Sequence, residues 1–463
     1  MSLWKIEEIN KISNRKPNKQ LTISDISINT RDLKKNSLFF AIKGKNFDGH
    51  NFVYDAFKKG AAAAIVEKKK LGLYKDSFFT NKVLFPVDDS LNSLQKLAKL
   101  SRSRAKNLKM ICITGSSGKT SIKNWLSKIL LEKKIHFTKG NLNNHIGLPL
   151  TLTKMKRDSK FCILEVGMNK PNEIQKLTKI AKPHFSILTN VGPAHIGNFK
   201  SIDEIAREKC EIFFKNCFAI YPKDSDYFNL IDKIAKKKAS QTFTFGYSDL
   251  SDFQITKIKT FDSIKKIVSF RLINETLDLK LVNYGKHWLS NILIILAISK
   301  LLKINIEEIN NILLNLKPNE GRGSIHKLLF KNKNIILFDD SYNSNPLSLK
   351  ASLETIKILP TKKMRKICVI GDMLELGKNS ELYHKETVPF IIESKVDVVL
   401  TIGNYSRVIY KNLPKSIESF HFDDLDMLYN KLKGILKDDD FIMIKGSNSM
   451  NLDIICNKLK ISS

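Results

Sequence analysis

A short stretch of this chain combines a strand, a glycine turn and a helix start. Met110-Ile111-Cys112-Ile113-Thr114 is an apolar run of strand length, followed at once by Gly115-Ser116-Ser117-Gly118-Lys119-Thr120-Ser121. Such a turn gathers free backbone N–H groups, one ammonium and one hydroxyl around a single point, and a polyphosphate is the ligand that suits them. Lys119 is placed to reach β- and γ-phosphates and the Thr120 hydroxyl to sit on Mg²⁺. Only Ser116 and Ser117 separate Gly115 from Gly118, whereas the usual phosphate loop has four residues before its Gly-Lys pair. An ordinary strand-to-helix turn is the plain alternative. Gly-Lys-Thr directly after a strand favours ATP or GTP.

Two further groups belong to the same chemistry if the surrounding strands run parallel. Glu165 ends the run Leu164-Glu165-Val166-Gly167, and His195 ends Asn190-Val191-Gly192-Pro193-Ala194-His195. A carboxylate and an imidazole beside a triphosphate are Mg²⁺ ligands or ligand neighbours. Read singly, each is equally well a capping glutamate or a hydrogen-bonded loop histidine. The loop Lys139-Gly140-Asn141-Leu142-Asn143-Asn144-His145 can hydrogen-bond a sugar or diphosphate through its amides, or be an asparagine-rich turn. Lys209 follows Ser201-x-x-Glu204, a capping box that opens a helix, and reads as a surface lysine paired with a helical glutamate.

The elements that must position these residues alternate between strand and helix. From residue 110 the strands 110–114, 161–166, 185–191 and 217–221 are separated by helix-length segments 121–133 and 201–214, the pattern of a parallel sheet. The stretch 241–281 alternates like antiparallel edge strands, and 285–302 returns to helix. Residues 1–100 read as a small α/β module with strands at 37–42 and 61–66, and the basic run 101–109 as a linker. A third module begins near Leu316-Lys317-Pro318, with strands at 335–338, 367–370, 396–402 and 441–444. Polar clusters follow all four: Asp339-Asp340-Ser341-Tyr342-Asn343, Gly371-Asp372-Met373, Gly403-Asn404 and Lys445-Gly446-Ser447. One such cluster is turn chemistry. Four in register mark a ligand-binding edge. The fold class is therefore α/β in three domains: a small α/β N-terminal domain (1–100), a central phosphate-loop domain with a mostly parallel sheet (101–317) and a C-terminal Rossmann-like open sheet (318–463).

Composition bounds the partners. The 463 residues carry a formal net charge of +32 and a pI near 9.7. The lysines are spread along the chain, and no nucleic-acid motif or aromatic–basic stacking run accompanies them. A nucleic-acid-dependent ATPase is the reading of another class that the charge motivates. A substrate bearing a diphosphate and carboxylates draws on the same field. The six cysteines form no C-x-x-C pair and read as small core residues of a reduced, cytoplasmic protein. No apolar h-region precedes residue 19 and no run is long enough to span a membrane.

Together these pieces resemble the Mur ligase family. Its shortened phosphate loop matches residues 114–120. Further motifs are Asn141-x-Asn143-Asn144-x-Ile146-Gly147-x-Pro149, Glu165-Val166-Gly167-Met168-Asn169, Asn190-Val191-Gly192-Pro193-Ala194-His195 and Lys209-Cys210-Glu211-Ile212-Phe213. Asp339-Asp340-Ser341-Tyr342-Asn343-Ser344-Asn345-Pro346 and Gly371-Asp372-Met373-Leu374-Glu375-Leu376-Gly377 resemble the branch that adds D-alanyl-D-alanine to UDP-N-acetylmuramoyl-tripeptide. Three positions depart from the family pattern. Asn29-Thr30-Arg31 stands for Asp-Ser-Arg, Trp288 for the first asparagine of Gly-x-His-Asn-x-x-Asn, and Gly323 for an apolar residue.

The resemblance implies an ATP-dependent amide-forming ligase of peptidoglycan precursor synthesis. Sister ligases that add a diamino acid, or a folylpolyglutamate synthase, are the alternatives within the fold. It implies Lys119, Lys209 and His195 as catalytic residues, with Lys209 carbamylated. ATP would be held by Gly115, Ser116, Ser117, Gly118, Lys119, Thr120, Ser121, Asn291, Arg322 and Asp340. Two Mg²⁺ sites would draw on Thr120, Glu165, His195 and Lys209. The substrates would meet Thr30, Arg31, Asp48, Asn141, Asn143, Asn144, Asn343 and Asn345. The implied assembly is a cytoplasmic monomer with no nucleic-acid partner and no membrane insertion.

Overall fold

A computed structural model of the chain describes residues 2–13, 21–74, 77–80, 82–260, 265–282, 285–358 and 364–461. Three sheets divide it. The first has strands β1 (Asp25–Ser27), β2 (Ser37–Phe40), β3 (Ala63–Glu67) and β4 (Val83–Val87), all parallel and in sequence order. Strands β1 and β4 are additions to the two runs read from sequence. Both are short, and Pro86 interrupts the apolar pattern of β4, as an edge strand tolerates.

The central sheet comprises β5 (Lys109–Thr114), β6 (Ile135–Phe137), β7 (Phe161–Glu165), β8 (Phe185–Leu188), β9 (Phe218–Pro222), β10 (Gln241–Gly246), β11 (Phe253–Thr260), β12 (Lys265–Leu272) and β13 (Glu275–Val282), in the order 13-12-11-10-9-8-5-7-6. From β6 across to β11 the neighbouring strands are parallel, and only β12 and β13 add antiparallel pairs. The antiparallel edge expected over 241–281 therefore starts later, because β10 lies parallel to both β9 and β11. Residues 261–264 of that stretch lie outside the described residues. The chain leaves β5 to build β6 and β7 on one side, then crosses to β8 on the other. Strand β5 is thus the topological switch point, where open α/β sheets bind ligands.

The third sheet has β14 (Ser324–Phe330), β15 (Lys333–Asp339), β16 (Lys366–Gly371), β17 (Val398–Ile402), β18 (Glu418–Phe422) and β19 (Asp440–Lys445), in the order 14-15-19-16-17-18. Strand β14 pairs antiparallel with β15 and the rest are parallel. The two edge strands escaped the sequence reading because each is half-solvated and broken by polar residues. The four predicted strands are the buried ones between them, so their polar ends do share one edge.

The basic run 101–109 is not a linker. The helix Ser90–Arg104 takes up its first four residues and β5 begins at its last, Lys109. Arg102 donates to the carbonyls of Ala181 (2.8 Å) and Lys182 (3.1 Å), and Arg104 to those of Leu3 and Met155 (both 3.0 Å). Ser101 is buried and donates to Leu152. Charge suggested solvent here, but backbone carbonyls of neighbouring elements take the guanidinium donors. Among the described residues no helix is long and apolar enough to cross a membrane.

Candidate active site

The phosphate loop leaves β5 with Gly115 at φ +150° and Gly118 at φ +82°. A Cβ on Gly115 would collide with the Thr189 hydroxyl, and one on Gly118 with the Asn291 amide. Asn190 shapes the loop from the end of β8. Its Oδ1 accepts the Ser117 N–H (2.9 Å) and its Nδ2 donates to Ser117 Oγ (3.0 Å). Ser116 Oγ exchanges hydrogen bonds with the backbone of Gly192 (2.9 and 3.0 Å). The helix Lys119–Ile129 starts here, and its first-turn N–H groups have no intrahelical acceptor. Lys119 Nζ curls back onto the Gly115 carbonyl at 2.6 Å.

Strand register carries Glu165 to this loop, because it pairs with Ile113, two residues before Gly115. The residue is 3% exposed. Oε2 accepts from the Thr120 hydroxyl (2.9 Å), Oε1 accepts from Asn143 Nδ2 (2.8 Å), and Lys123 Nζ stands 4.0 Å away. Thus a buried anion is held by two neutral donors and one loosely placed cation. A hydroxyl and a carboxylate, both hard oxygen donors beside a phosphate loop, fit a divalent cation such as Mg²⁺.

Two buried lysines, Lys123 and Lys209, lie close by. Lys209, 2% exposed, lies on the helix Ile202–Cys210 and faces the cavity. The surface lysine expected from sequence is therefore a buried one. Burial pushes its pKa well below the ordinary lysine value, and nearby Lys119 adds to the effect. Enclosure also lowers Lys119 and Lys123, with Glu165 opposing and Arg322 reinforcing. Lys119 and Lys123 thus share one carboxylate, with Lys209 close to Lys119 and Arg322 within reach of Lys119 and Lys123, a cluster that suits a polyanion. The capping box is only half formed. Ser201 Oγ accepts from Glu204 N–H, while the Glu204 carboxylate takes the N–H of Lys200.

These groups line a cavity of about 820 Å³ between the central and C-terminal sheets. It gathers the whole run 115–121, Glu165, His195, Lys209, Asn291, Arg322, Asp340 and the asparagines 141, 143, 144, 343 and 345. Asn144 Oδ1 caps the helix Gly147–Thr153 through the N–H groups of Ile146 and Gly147. Asn345 Nδ2 donates to the Ser116 carbonyl across the domain junction (3.3 Å). Asp340 accepts from Lys445 Nζ at 2.6 Å and from Ser352 Oγ at 2.5 Å. The Arg322 guanidinium lies 3.9 Å from the centre of the Tyr342 ring.

Thr30, Arg31 and Asp48 are not brought to this cavity, whose lining takes no residue from the first sheet's domain. Asp48 acts locally, capping the turn at His50 and meeting the His50 imidazole at 2.6 Å. The Thr30 carbonyl accepts from Lys59 (2.9 Å), and the Arg31 N–H is held by Asn29. His195 faces the cavity, but its Nδ1 meets the Glu375 carboxylate of the C-terminal domain. Sequence reasoning missed Lys123 and gave Lys445 no role of its own. Lys123 sits one helical turn beyond Lys119, a spacing that could have found it. Lys445 was visible only as part of a polar cluster. Trp288 departs from the family asparagine and instead packs, buried, against Trp125 with ring centres 4.5 Å apart.

Comparison with known proteins agrees with this geometry. The Mur ligase middle domain model matches residues 113–299, the Mur ligase glutamate ligase domain 327–448, and the Mur ligase family catalytic domain 22–102. A UDP-N-acetylmuramoyl-tripeptide–D-alanyl-D-alanine ligase of Rickettsia prowazekii is 35% identical over 437 residues, covering 93% of this chain and 94% of its own. A crystal structure of MurF from Acinetobacter baumannii aligns over 99% of both chains with a TM-score of 0.85 and 26% identity. The MurF ligase of Thermotoga maritima in complex with ADP aligns over 95% of this chain and 97% of its own, with a TM-score of 0.81 and 26% identity. With three domain models matched in chain order and a relative this similar along nearly its full length, the chain belongs to the Mur ligase family.

Proposed function

We propose that this chain joins D-alanyl-D-alanine to UDP-N-acetylmuramoyl-tripeptide, with cleavage of ATP to ADP and phosphate, in peptidoglycan precursor synthesis. The observation that carries this reading is the single cavity shared by the phosphate loop and the polar ends of the C-terminal sheet. It supports a reaction in which nucleotide, acceptor carboxylate and incoming amine meet. The tripeptide's terminal carboxylate attacks the γ-phosphorus and the bond to the β-phosphate oxygen breaks, releasing ADP and leaving an acyl phosphate. The dipeptide's neutral amine then adds to the acyl carbon. Collapse of the tetrahedral intermediate expels phosphate and forms the amide, and the amine proton is lost to solvent or a base.

The chain's part is charge neutralisation and exclusion of water, since no nucleophilic side chain is required. Lys119 would leave the Gly115 carbonyl for the β/γ-phosphates, and the loop N–H groups would hold the phosphate oxygens. Asn291, Arg322 and Asp340 would contact the nucleotide. Thr120 and Glu165 would hold one Mg²⁺; His195 and a carbamylated Lys209 would hold a second. The metal ions would supply neutralisation of phosphate charge. Carbamylation needs a neutral amine, and the burial of Lys209 among cations favours that form. The C-terminal domain would close over the cavity, because an acyl phosphate exposed to water hydrolyses. The N-terminal domain would bind the UDP-sugar, with Thr30, Arg31 and Asp48 reaching its distal end. Asn141, Asn143 and Asn144 would meet the muramoyl-peptide, and Asn343 and Asn345 the dipeptide. We place the enzyme in the cytoplasm, as a monomer.

Phosphate release from ATP, measured over a panel of acceptor and amine pairs, tests this. Full turnover is expected only with the UDP-muramoyl-tripeptide and D-alanyl-D-alanine together. Equal turnover with the dipeptide precursor and a free diamino acid would assign the chain to a sister ligase. Stimulation by DNA or RNA in place of both substrates would favour a nucleic-acid-dependent ATPase.

A further inference from the structure

Two loops from different domains meet at His195 and Glu375. His195 has φ +61° and Glu375 φ +64°, left-handed backbone that non-glycine residues seldom adopt. Each is followed two residues later by a glycine, and the two glycines touch. A Cβ on Gly197 would lie 2.7 Å from the Gly377 nitrogen, and one on Gly377 2.6 Å from the Gly197 Cα. The Gly197 N–H donates to the Glu375 carbonyl at 2.9 Å. Ile196, which follows His195, packs against the cores of both domains. The Glu375 carboxylate also lies against His195 Nδ1, a close ion-pair contact outside hydrogen-bond geometry that leaves this buried nitrogen without a hydrogen-bond partner among the described residues.

Both loops are fixed from behind. The Leu374 N–H donates to Ser447 Oγ (2.8 Å), the Met373 N–H to His384 Nε2 (2.9 Å), and Ser380 Oγ to the Gly377 carbonyl (2.7 Å). On the other side Ser116 Oγ ties Gly192, three residues before His195, to the phosphate loop. A carboxylate on a fixed loop of one domain is thus set against an imidazole that the other domain links to its phosphate loop. Carboxylate contact at one ring nitrogen fixes the tautomer and orientation and leaves the second nitrogen as a lone-pair donor.

We propose that Glu375 is a positioning residue for His195: the C-terminal domain delivers its carboxylate to Nδ1 on closure, and Nε2 is thereby presented to the cavity as a cation ligand. The inference rests on the reading of His195 as a Mg²⁺ ligand. It makes that ligand complete only when the two domains are apposed, so that domain closure and cation binding reinforce each other.

Mn²⁺ serves as the probe, titrated by electron paramagnetic resonance into the full-length enzyme with a non-hydrolysable ATP analogue. Glu375→Asn suits the left-handed backbone but is one methylene too short for His195, whereas Glu375→Gln keeps the reach and an acceptor oxygen. Expected for Glu375→Asn is a loss of about tenfold in Mn²⁺ affinity, with kcat falling by a similar factor while the KM for ATP stays within about twofold. Glu375→Gln recovers most of the affinity. Mn²⁺ affinity unchanged in Glu375→Asn but weakened in His195→Ala would overturn this inference and leave the metal reading standing. Affinity unchanged in His195→Ala as well would remove the metal reading itself. Equal weakening in the Asn and Gln variants would also count against positioning, since contact with Nδ1 would then not be what matters.

Discussion

The central and C-terminal sheets each end in a row of polar residues at the same cavity, yet the two rows are built oppositely. At the central edge the charges are left unbalanced. Lys119 and Lys123 lie within electrostatic reach of Glu165 and Lys209 stands near Lys119, yet among the described residues Lys119 Nζ hydrogen-bonds to the Gly115 carbonyl rather than to a carboxylate. At the C-terminal edge the strand-end carboxylates are matched within the domain. Asp340 is paired with Lys445 (2.6 Å), Asp339 with Lys460 (2.8 Å), and Asp372 accepts the N–H groups of Tyr405 and Ser406 (3.1 and 2.7 Å). The central edge therefore awaits a polyanion, while the C-terminal edge is a stiff frame that presents a few side chains, Asn343, Asn345 and Glu375, toward it. Even Glu320, His326 and Asp339, which cluster closely enough to suggest a metal, are joined by the Lys460 ammonium. The lesson is that a polar cluster at a strand end is a binding site only where its charges remain uncompensated.

This contrast separates variants that lose catalysis from variants that lose stability. The largest effect is expected at Lys119. Lys119→Ala should lower turnover by at least ~10³, because a preorganised charge on the transferring phosphoryl is removed. Its melting temperature should stay near that of the wild type. A folded variant with near-normal turnover would make the loop structural.

Lys209→Ala is the next test on the same edge. We expect a turnover loss of about 10²- to 10³-fold, with partial recovery in short carboxylic acids that occupy the place of a carbamate. Removing a buried, desolvated ammonium should not weaken the fold. Wild-type turnover would refute the role assigned to Lys209, and a loss with no recovery would confine that role to the amine itself.

On the opposite edge the expectation inverts. Asp340→Ala leaves Lys445, 1% exposed, with only the Asn343 carbonyl. Breaking such a pair should cost about 3–5 kcal/mol of unfolding free energy, read in a urea titration. A variant as stable as the wild type would show that this edge is no more self-reliant than the central one.

The smallest effect sharpens the comparison within the central sheet. At its far end His184 accepts the Met110 N–H at Nδ1 (2.9 Å), and its Nε2 faces Arg102 (3.3 Å). Burial first, then Arg102, lowers its pKa to about 4, against an unfolded value near 6.5. Its neutral form therefore contributes fully above pH ~6.5. As the pH falls from ~6.5 towards 4, the unfolded chain binds a proton that the native state refuses; the unscreened linkage is about 2–3 kcal/mol, and solvent screening of this half-buried ring reduces the loss to about 1 kcal/mol. Unfolding curves at pH 7.5 and 5 should show that decrement in the wild type and less of it in His184→Gln, with turnover at pH 7.5 little changed. An identical pH slope in both would assign the acid sensitivity elsewhere.

The parts of the site that sequence revealed are those in which a few consecutive residues do the chemistry. The phosphate loop is legible because strand, glycines, lysine and threonine occupy adjacent positions. Glu165 and His195 are legible because the parallel alternation places strand ends on one edge. The run 101–109 misled because charge was read as solvation, whereas Arg102 and Arg104 bond to carbonyls of other elements. Lys209 misled in the opposite sense. A helical lysine flanked by glutamates looks exposed until the packing of the helix Ile202–Cys210 buries it.

The alternation of strands and helices and the identity of the phosphate-binding loop were legible in the sequence alone. Each depends on hydrophobic periodicity or on neighbours along the chain, and such information is local. Only the tertiary structure decided which charges find partners. Asp340 and Lys445 are separated by 105 positions, and Glu375 reaches His195 across a domain junction. No periodicity links such pairs. They are set by strand order and by the closeness of two glycine-bearing loops, and Coulomb energy depends on the distance in space that these create.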